Sequence, residues 1–208
     1  MEFINQINIF YINKDRKMDK QVENIINTTL QFEGGYANIK GDRGGETYCG
    51  ITRKNFPNLP LWKKLDTIKQ FRNLQRNEKF DSLTQDVIDF YYRKFFLPSN
   101  CDEFIKYSMP LAGIIFDFAV HSGIGRAIKA YQQIINLQLK WTRKLSVDGV
   151  FGARSLEALE EDYIDFNQLA EGILDYRRAY LNSLATGSQK KFLKGWLNRI
   201  DKLREKYL

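Results

Sequence analysis

Pro110-Leu111-Ala112-Gly113-Ile114-Ile115-Phe116-Asp117-Phe118-Ala119-Val120-His121-Ser122 is the most apolar stretch of this 208-residue chain, and Asp117 is its single acid. At 3.6 residues per turn its apolar side chains cover nearly the whole circumference. That is the pattern of a helix buried on all sides, and such a helix needs other helices around it. On its C-terminal side, Gly123 and Gly125 permit a sharp turn into a second helix over about 126–136. Residues 138–149 read as a loop ending in the turn signal Asp148-Gly149. A short helix follows over 153–160, then two long ones over 165–184 and 188–207, joined across Gly187.

On the N-terminal side, 98–110 reads as a connection. Before it, Val87, Ile88, Tyr91, Tyr92, Phe95 and Phe96 form the aromatic stripe of a helix capped by Ser82 or Thr84. Core packing explains such a stripe, and a binding surface is the alternative. Pro57 and Pro60 precede a helix over about 61–75. The first helix runs over 19–32, with Val22, Ile25, Ile26, Thr29 and Leu30 at helical spacing and Asp19 as N-cap. Gly34-Gly35 reads as its stop. Residues 36–50 hold too many glycines and charges for a core element, so a loop or short irregular hairpin is expected. The sum is seven to nine helices, little strand and no linker: a mainly α chain folded as one compact body with two lobes. Residues 1–17 read as an appendage, 18–105 as the first part and 106–208 as a helical second lobe. The appendage has neither the basic start nor the small-residue cleavage site of a signal peptide.

The chain is 43% hydrophobic and 27% charged, which marks it as globular. Its 14% aromatic content suits a rich core and, in part, a sugar cleft, since aromatic faces stack on pyranose rings. A formal net charge of +7 favours a polyanionic partner: nucleic acid, anionic lipid or an acidic cell wall. No zinc finger, RNA-binding signature or dense basic run is present, so nucleic acid is not expected. No apolar run reaches the ~18 residues of a membrane span, so no stable membrane insertion is expected. Cys49 and Cys101 read as free buried thiols rather than a disulfide. His121 is the only histidine, which excludes a zinc site built on several His. No metal or cofactor is expected, and catalysis must come mostly from carboxylates.

Two carboxylates stand out in Glu33-Gly34-Gly35-Tyr36-Ala37-Asn38-Ile39-Lys40-Gly41-Asp42-Arg43-Gly44-Gly45-Glu46-Thr47. Glu33 falls at the end of a helix, where unpaired carbonyls carry partial negative charge. That field, with burial under Phe32 and Tyr36, should make it harder to ionise and suit it to general acid work. Asp42, in a polar loop beside Arg43, should stay ionised, to activate water or to stabilise an oxocarbenium-like transition state. Thr47 can hold that water. Tyr36 and Asn38 are sugar contacts or loop-fixing residues. Two acids in unlike environments are what glycoside hydrolysis requires. Asp117, as a buried acid, needs a partner, and Arg126 or a helix N-terminus is the expected one. It reads as structural rather than catalytic. His121 is either a satisfied helix-end histidine or a residue facing the cleft.

Glu33-Gly34-Gly35-Tyr36, Asn38, Asp42, Gly44-Gly45, Thr47 and Gly50-Ile51-Thr52 together resemble the signature of the glycoside hydrolase family 108 N-acetylmuramidases. The stretch is also similar to the phage-type lysozyme pattern of Glu, eight residues, Asp, five residues, Thr, except that four residues separate Asp42 from Thr47. Asp117-Phe118-Ala119-Val120-His121-Ser122-Gly123 resembles a second family segment, with His121 where Asn is usual. Asp148-Gly149-Val150-Phe151-Gly152 with Ser155 resembles a motif of peptidoglycan-binding modules, and 192–199 resembles the family's closing helix. The resemblance spans about 19–207.

It implies a lysozyme-like two-lobed fold with a small hairpin region after the first helix. It also implies cleavage of the β-1,4 bond between N-acetylmuramic acid and N-acetylglucosamine, with Glu33 as general acid and Asp42 and Thr47 assisting. Tyr36, Asn38 and His121 are the substrate-binding candidates. Peptidoglycan glycan strands are the implied partner, and the protein is expected to act on them as a monomer at the cell wall or periplasm. Three alternatives remain: a lytic transglycosylase, a chitin-cleaving enzyme, and a non-catalytic wall-binding or secretion-accessory protein on the same fold.

Overall fold

The computed structural model describes residues 18–39 and 44–208, so the reading of 1–17 as an appendage lies outside the described residues. In chain order the described elements are α1 (Lys20–Leu30), β1 (Tyr36–Ala37), β2 (Thr47–Tyr48), β3 (Ile51–Thr52), α2 (Pro60–Phe71), α3 (Asp81–Tyr91), α4 (Cys101–Tyr107), α5 (Met109–Ser122), α6 (Ile124–Gln138), α7 (Ala153–Leu159), α8 (Phe166–Leu184) and α9 (Leu193–Tyr207). The chain is mainly α, as the patterning implies.

The apolar stretch forms α5, and every residue from Leu111 to Ala119 is buried. Ser108 starts the helix by accepting a hydrogen bond from the Leu111 backbone N–H at 3.3 Å. Helices α1, α4, α6, α8 and α9 all pack on α5, so residues from both halves of the sequence share one core. Asp19 caps α1 through its contact with the Gln21 N–H at 2.7 Å. Strands β1, β2 and β3 form an antiparallel meander, with Tyr36 opposite Tyr48 and Tyr48 opposite Ile51.

Four local readings change. Residues 98–110 are not a plain connection: left-handed Asn100 leads into α4, whose seven residues bury only Cys101 and Phe104 and so show no visible period. Ser82 and Thr84 lie inside α3, which starts at Asp81 without a side-chain cap; the Phe80 N–H ahead of it donates to Tyr48 Oη at 2.7 Å. Helix α9 begins at Leu193, because Gly187–Phe192 winds as a 3-10 helix. Helix α1 ends at Leu30, before Gly34-Gly35, and a turn closed by Glu33 N–H to the Leu30 carbonyl (3.3 Å) carries the chain on. Gly35 has a different task. The backbone of Asn77 and Glu78 pairs with Tyr36 at 2.8 Å, and a Cβ on Gly35 would stand 2.3 Å from the Glu78 carbonyl oxygen. Cys49 and Cys101 are both buried and free.

Candidate active site

Glu33 sits where the turn after α1 meets the tip of the β2–β3 hairpin. That tip is Cys49-Gly50, a two-residue connection with positive φ at both positions, +47° and +77°. Two-residue hairpin loops favour such mirror-image turns because their twist matches that of the strands. Cysteine in this region carries strain of about 1 kcal/mol or more. Tyr91 of α3 holds the turn down, its buried hydroxyl donating to the Cys49 carbonyl at 2.8 Å. The turn brings Gly50 so near that a Cβ there would come within 2.6 Å of Tyr91 Oη and 2.9 Å of Glu33 Oε2. A glycine is required both by φ and by the space the carboxylate occupies.

The other carboxylate oxygen of Glu33 is taken. Arg199 of α9 donates from Nη1 to Oε1 at 3.1 Å, while its guanidinium lies 4.7 Å from the centre of the Phe32 ring. The same guanidinium grips Asp117 of α5, with Nε at 3.0 and 3.1 Å from the two oxygens and Nη2 at 2.8 Å from Oδ2. Arg177 of α8 reaches Asp117 Oδ1 through Nη1 at 2.7 Å. Asp117 and Arg177 are fully buried. The partners of Asp117 are therefore Arg177 and Arg199, not Arg126, which instead lies over the Tyr180 ring at 4.3 Å. Burial alone would raise the Asp117 carboxyl, but the two arginines outweigh it and hold the group below the usual carboxylate range. Burial lowers Arg177, which has one acid to offset it. Burial also acts to lower Arg199, but contact with two acids raises it. Glu33, Arg199, Asp117 and Arg177 thus form one continuous ionic chain from the cleft into the core.

The cleft beside Glu33 has a volume of ≈ 290 Å³. Phe56, Phe90, Tyr91 and Phe95 wall one side, and Val120, His121 and Arg199 line it as well. The aromatic stripe of the sequence thus serves both readings: Val87, Ile88, Tyr91 and Phe96 are buried, and Tyr91 and Phe95 also face the cleft. A π-helical turn over Tyr92–Phe96 continues α3 and carries Phe95 into place, with its ring stacked on Tyr91 at 5.6 Å. Such widened turns recur at functional sites. His121, at the end of α5, meets Ser122 Oγ through Nδ1 at 3.3 Å and the Trp196 ring edge-on at 6.2 Å. Burial, followed by the charges of Arg177 and Arg199, pushes its imidazole down to about 4, so it is neutral at neutral pH.

The remaining sequence candidates lie on the hairpin. The Tyr36 hydroxyl donates to Glu46 Oε1 at 3.1 Å, and Glu46 also binds Arg53 at 2.8 Å and Lys69 at 2.7 Å, which ties the sheet to α2. Asn38 reaches the Tyr36 hydroxyl by a side-chain hydrogen bond. Thr47 donates to the Gly45 carbonyl at 3.2 Å and pairs with Ala37 across the sheet. Asp42 lies outside the described residues. Ala37 and Thr47, which flank it in sequence, pair across the sheet. Among the described residues no group of three His, Cys, Asp or Glu is placed to hold a metal, and no helix is long and apolar enough to cross a membrane.

Sequence reasoning missed Arg199, Arg177, Tyr91 and Gly50 as site residues. The two arginines did carry a signal. Arg177 continues the spacing of Ile173 and Leu174 toward Leu181, and Arg199 that of Trp196 toward Leu203. A charged residue on an apolar stripe must find an opposite charge in the core.

Residues 26–123 match the family model described as glycosyl hydrolase 108, and residues 126–201 match the one described as a predicted peptidoglycan domain. Among solved structures, the chain is similar to that of Brucella abortus SagA, with 23% identity, a TM-score of 0.60, and coverage of 89% of this chain and 92% of that one. At that identity the likeness is one of fold. Among curated proteins nothing matches.

Proposed function

We propose that this chain, whose residues 26–123 match the glycosyl hydrolase 108 model and whose residues 126–201 match a predicted peptidoglycan domain, is a peptidoglycan hydrolase of the N-acetylmuramidase type, with Glu33 as its general acid. The observation that carries the reading is the asymmetry of the Glu33 carboxylate. Arg199 fixes Oε1, while Oε2 lies at the hairpin tip beside Gly50, on an aromatic-walled cleft. A proton on Oε2 is the one that can pass to a glycosidic oxygen. Asp42 acts as the second carboxylate: it takes a proton from the attacking water, or offsets the positive charge that develops on the sugar ring. Tyr36, Asn38 and Thr47 hold the strands that flank Asp42 in sequence, and His121 contacts sugar as a neutral donor or acceptor.

The bond cut is the β-1,4 link between N-acetylmuramic acid and N-acetylglucosamine. The basic surface suits a wall rich in carboxylates. The test is turbidity loss of purified cell walls with Glu33→Gln. Lysis is expected to vanish while the far-UV spectrum and unfolding midpoint stay within the range of the unaltered protein. A folded variant that still lyses walls overturns the assignment. Reducing ends among the products support hydrolysis, whereas anhydro-sugar ends show a transglycosylase.

A further inference from the structure

His121 belongs to the lining of the cleft, and its ring touches a further pair of aromatic side chains. The His121 ring meets Trp196 edge-on at 6.2 Å, and Trp196 stacks on Phe192 at 6.0 Å with 26° between the planes. Phe192 is 46% exposed, so its ring face is open to a ligand. Gly195, between the two rings in sequence, has open space where a Cβ would stand. Three lysines surround this step: Lys190, Lys191 and Lys194, all exposed. Residues 187–199 contain no acid, and among the described residues none of the three lysines is ion-paired. Lys191 rests its ammonium 5.0 Å from the centre of the Phe192 ring.

We propose that Phe192 and Trp196, with Lys190, Lys191 and Lys194 beside them, form a glycan subsite that extends the Glu33 cleft past His121, stacking a pyranose ring and binding the carboxylates of the peptide attached to that sugar. The proposal rests on the peptidoglycan reading given above. Two observations select this occupant. The rings adjoin the cleft lining at His121, so a strand leaving the cleft on that side would meet them. The charged side chains of their own stretch, residues 187–199, are all cationic, so the group that fits there is an anion borne on an apolar face. A neutral glycan would use the rings and leave the lysines idle.

The test reads binding rather than cleavage, on the Glu33→Gln background so that no turnover occurs. Soluble peptidoglycan fragments are titrated with their stem peptides intact and, separately, after amidase removal of those peptides. Phe192→Ala is expected to weaken both fragments about tenfold, the scale of one lost aromatic contact. Lys190→Gln/Lys191→Gln/Lys194→Gln is expected to weaken only the peptide-bearing fragment, by a similar factor. All four positions are exposed, so the variants fold. If both variants bind both fragments within twofold of the background protein, the subsite is overturned while the role of Glu33 stands untouched. If the triple variant weakens both fragments equally, the carboxylate assignment is overturned. If the background protein binds neither fragment, it is the peptidoglycan reading itself that fails.

Discussion

Asp117→Asn removes one negative charge from the centre of α5 and leaves two arginine side chains facing an amide. Arg177 is 0% exposed, and among the described residues Asp117 is its only ionic partner. Arg199 keeps Glu33. Asparagine preserves shape and one acceptor oxygen, but its NH₂ then points at a guanidinium donor. Breaking a buried ion pair on one side costs about 3–5 kcal/mol, because the remaining charge is stranded in a poorly polarisable interior. Against a total stability of about 5–15 kcal/mol this is a large share. In a chain of this length it lowers the thermal midpoint by about 6–20 °C, at roughly 2–4 °C per kcal/mol. Urea unfolding at pH 7 measures it directly, with an unchanged slope showing that the folded and unfolded states are otherwise the same. A loss below about 1 kcal/mol refutes the reasoning, since it would mean that water or another acceptor already meets Arg177. A second arm isolates the cause. Asp117→Leu/Arg177→Met removes both charges and should be more stable than Asp117→Asn alone, because no unpaired ion remains buried. A double variant as unstable as the sum of its parts refutes that account. The pH arm has a definite sign. The Asp117 carboxyl is depressed in the folded protein, so its stabilisation is fully present above the ordinary aspartate range and is lost as pH falls through the depressed value. Asp117→Asn therefore flattens the stability curve on the acid side, below about pH 4.

His121, depressed to about 4 from 6.5, contributes stability that is complete above pH 6.5 and lost as pH falls toward 4. With a discount for partial exposure this is worth about 2 kcal/mol, so His121→Asn should level the thermal midpoint between pH 7 and 4.5, and a variant that keeps the slope sinks the assignment. Gly50→Ala should cut wall lysis more than tenfold while costing about 1–3 kcal/mol of stability, because its Cβ displaces Glu33 Oε2 as well as straining the turn. Gly45→Ala is the control: Gly45 has φ +64° but, among the described residues, nothing within 4 Å of a new Cβ, so unfolding should show the strain alone and lysis should stay within about threefold. Equal lysis losses in the two variants would refute the steric argument.

What the sequence made legible was whatever repeats locally. Period and composition placed α5, α6 and α8 to within a few residues, and the hairpin region after α1 was expected from its glycines. Short elements were not legible: α4 spans seven residues with two buried side chains, too few to show a period. The reading of Gly34-Gly35 as a helix stop failed for a related reason. The demand on Gly35 comes from the backbone of residues 77–78, more than 40 positions away, and no local pattern encodes that approach. The partner of Asp117 was sought nearby, at Arg126, because a sequence shows neighbours and not contacts. The true partners lie 60 and 82 residues on.

Those separations bear on how the two matched regions relate. Glu33 and Asp117 fall in residues 26–123, while Arg177 and Arg199 fall in 126–201. The acids come from one region and the bases from the other, and they meet inside a single core. A buried carboxylate without a cation would take up a proton, and a buried guanidinium without an anion would be strongly destabilising. Neither region can therefore keep its half of the network in the charged form alone. The second region reaches the first at the carboxylate proposed to do the chemistry, since Arg199 orients Glu33 Oε1. The recognition surface proposed above, Phe192 and Trp196, sits within two turns of Arg199 on the same stretch of chain. A strand bound on those rings would press on the helix that holds Glu33 in place, and on the proposed roles binding and catalysis would then be coupled through one side chain rather than divided between two modules.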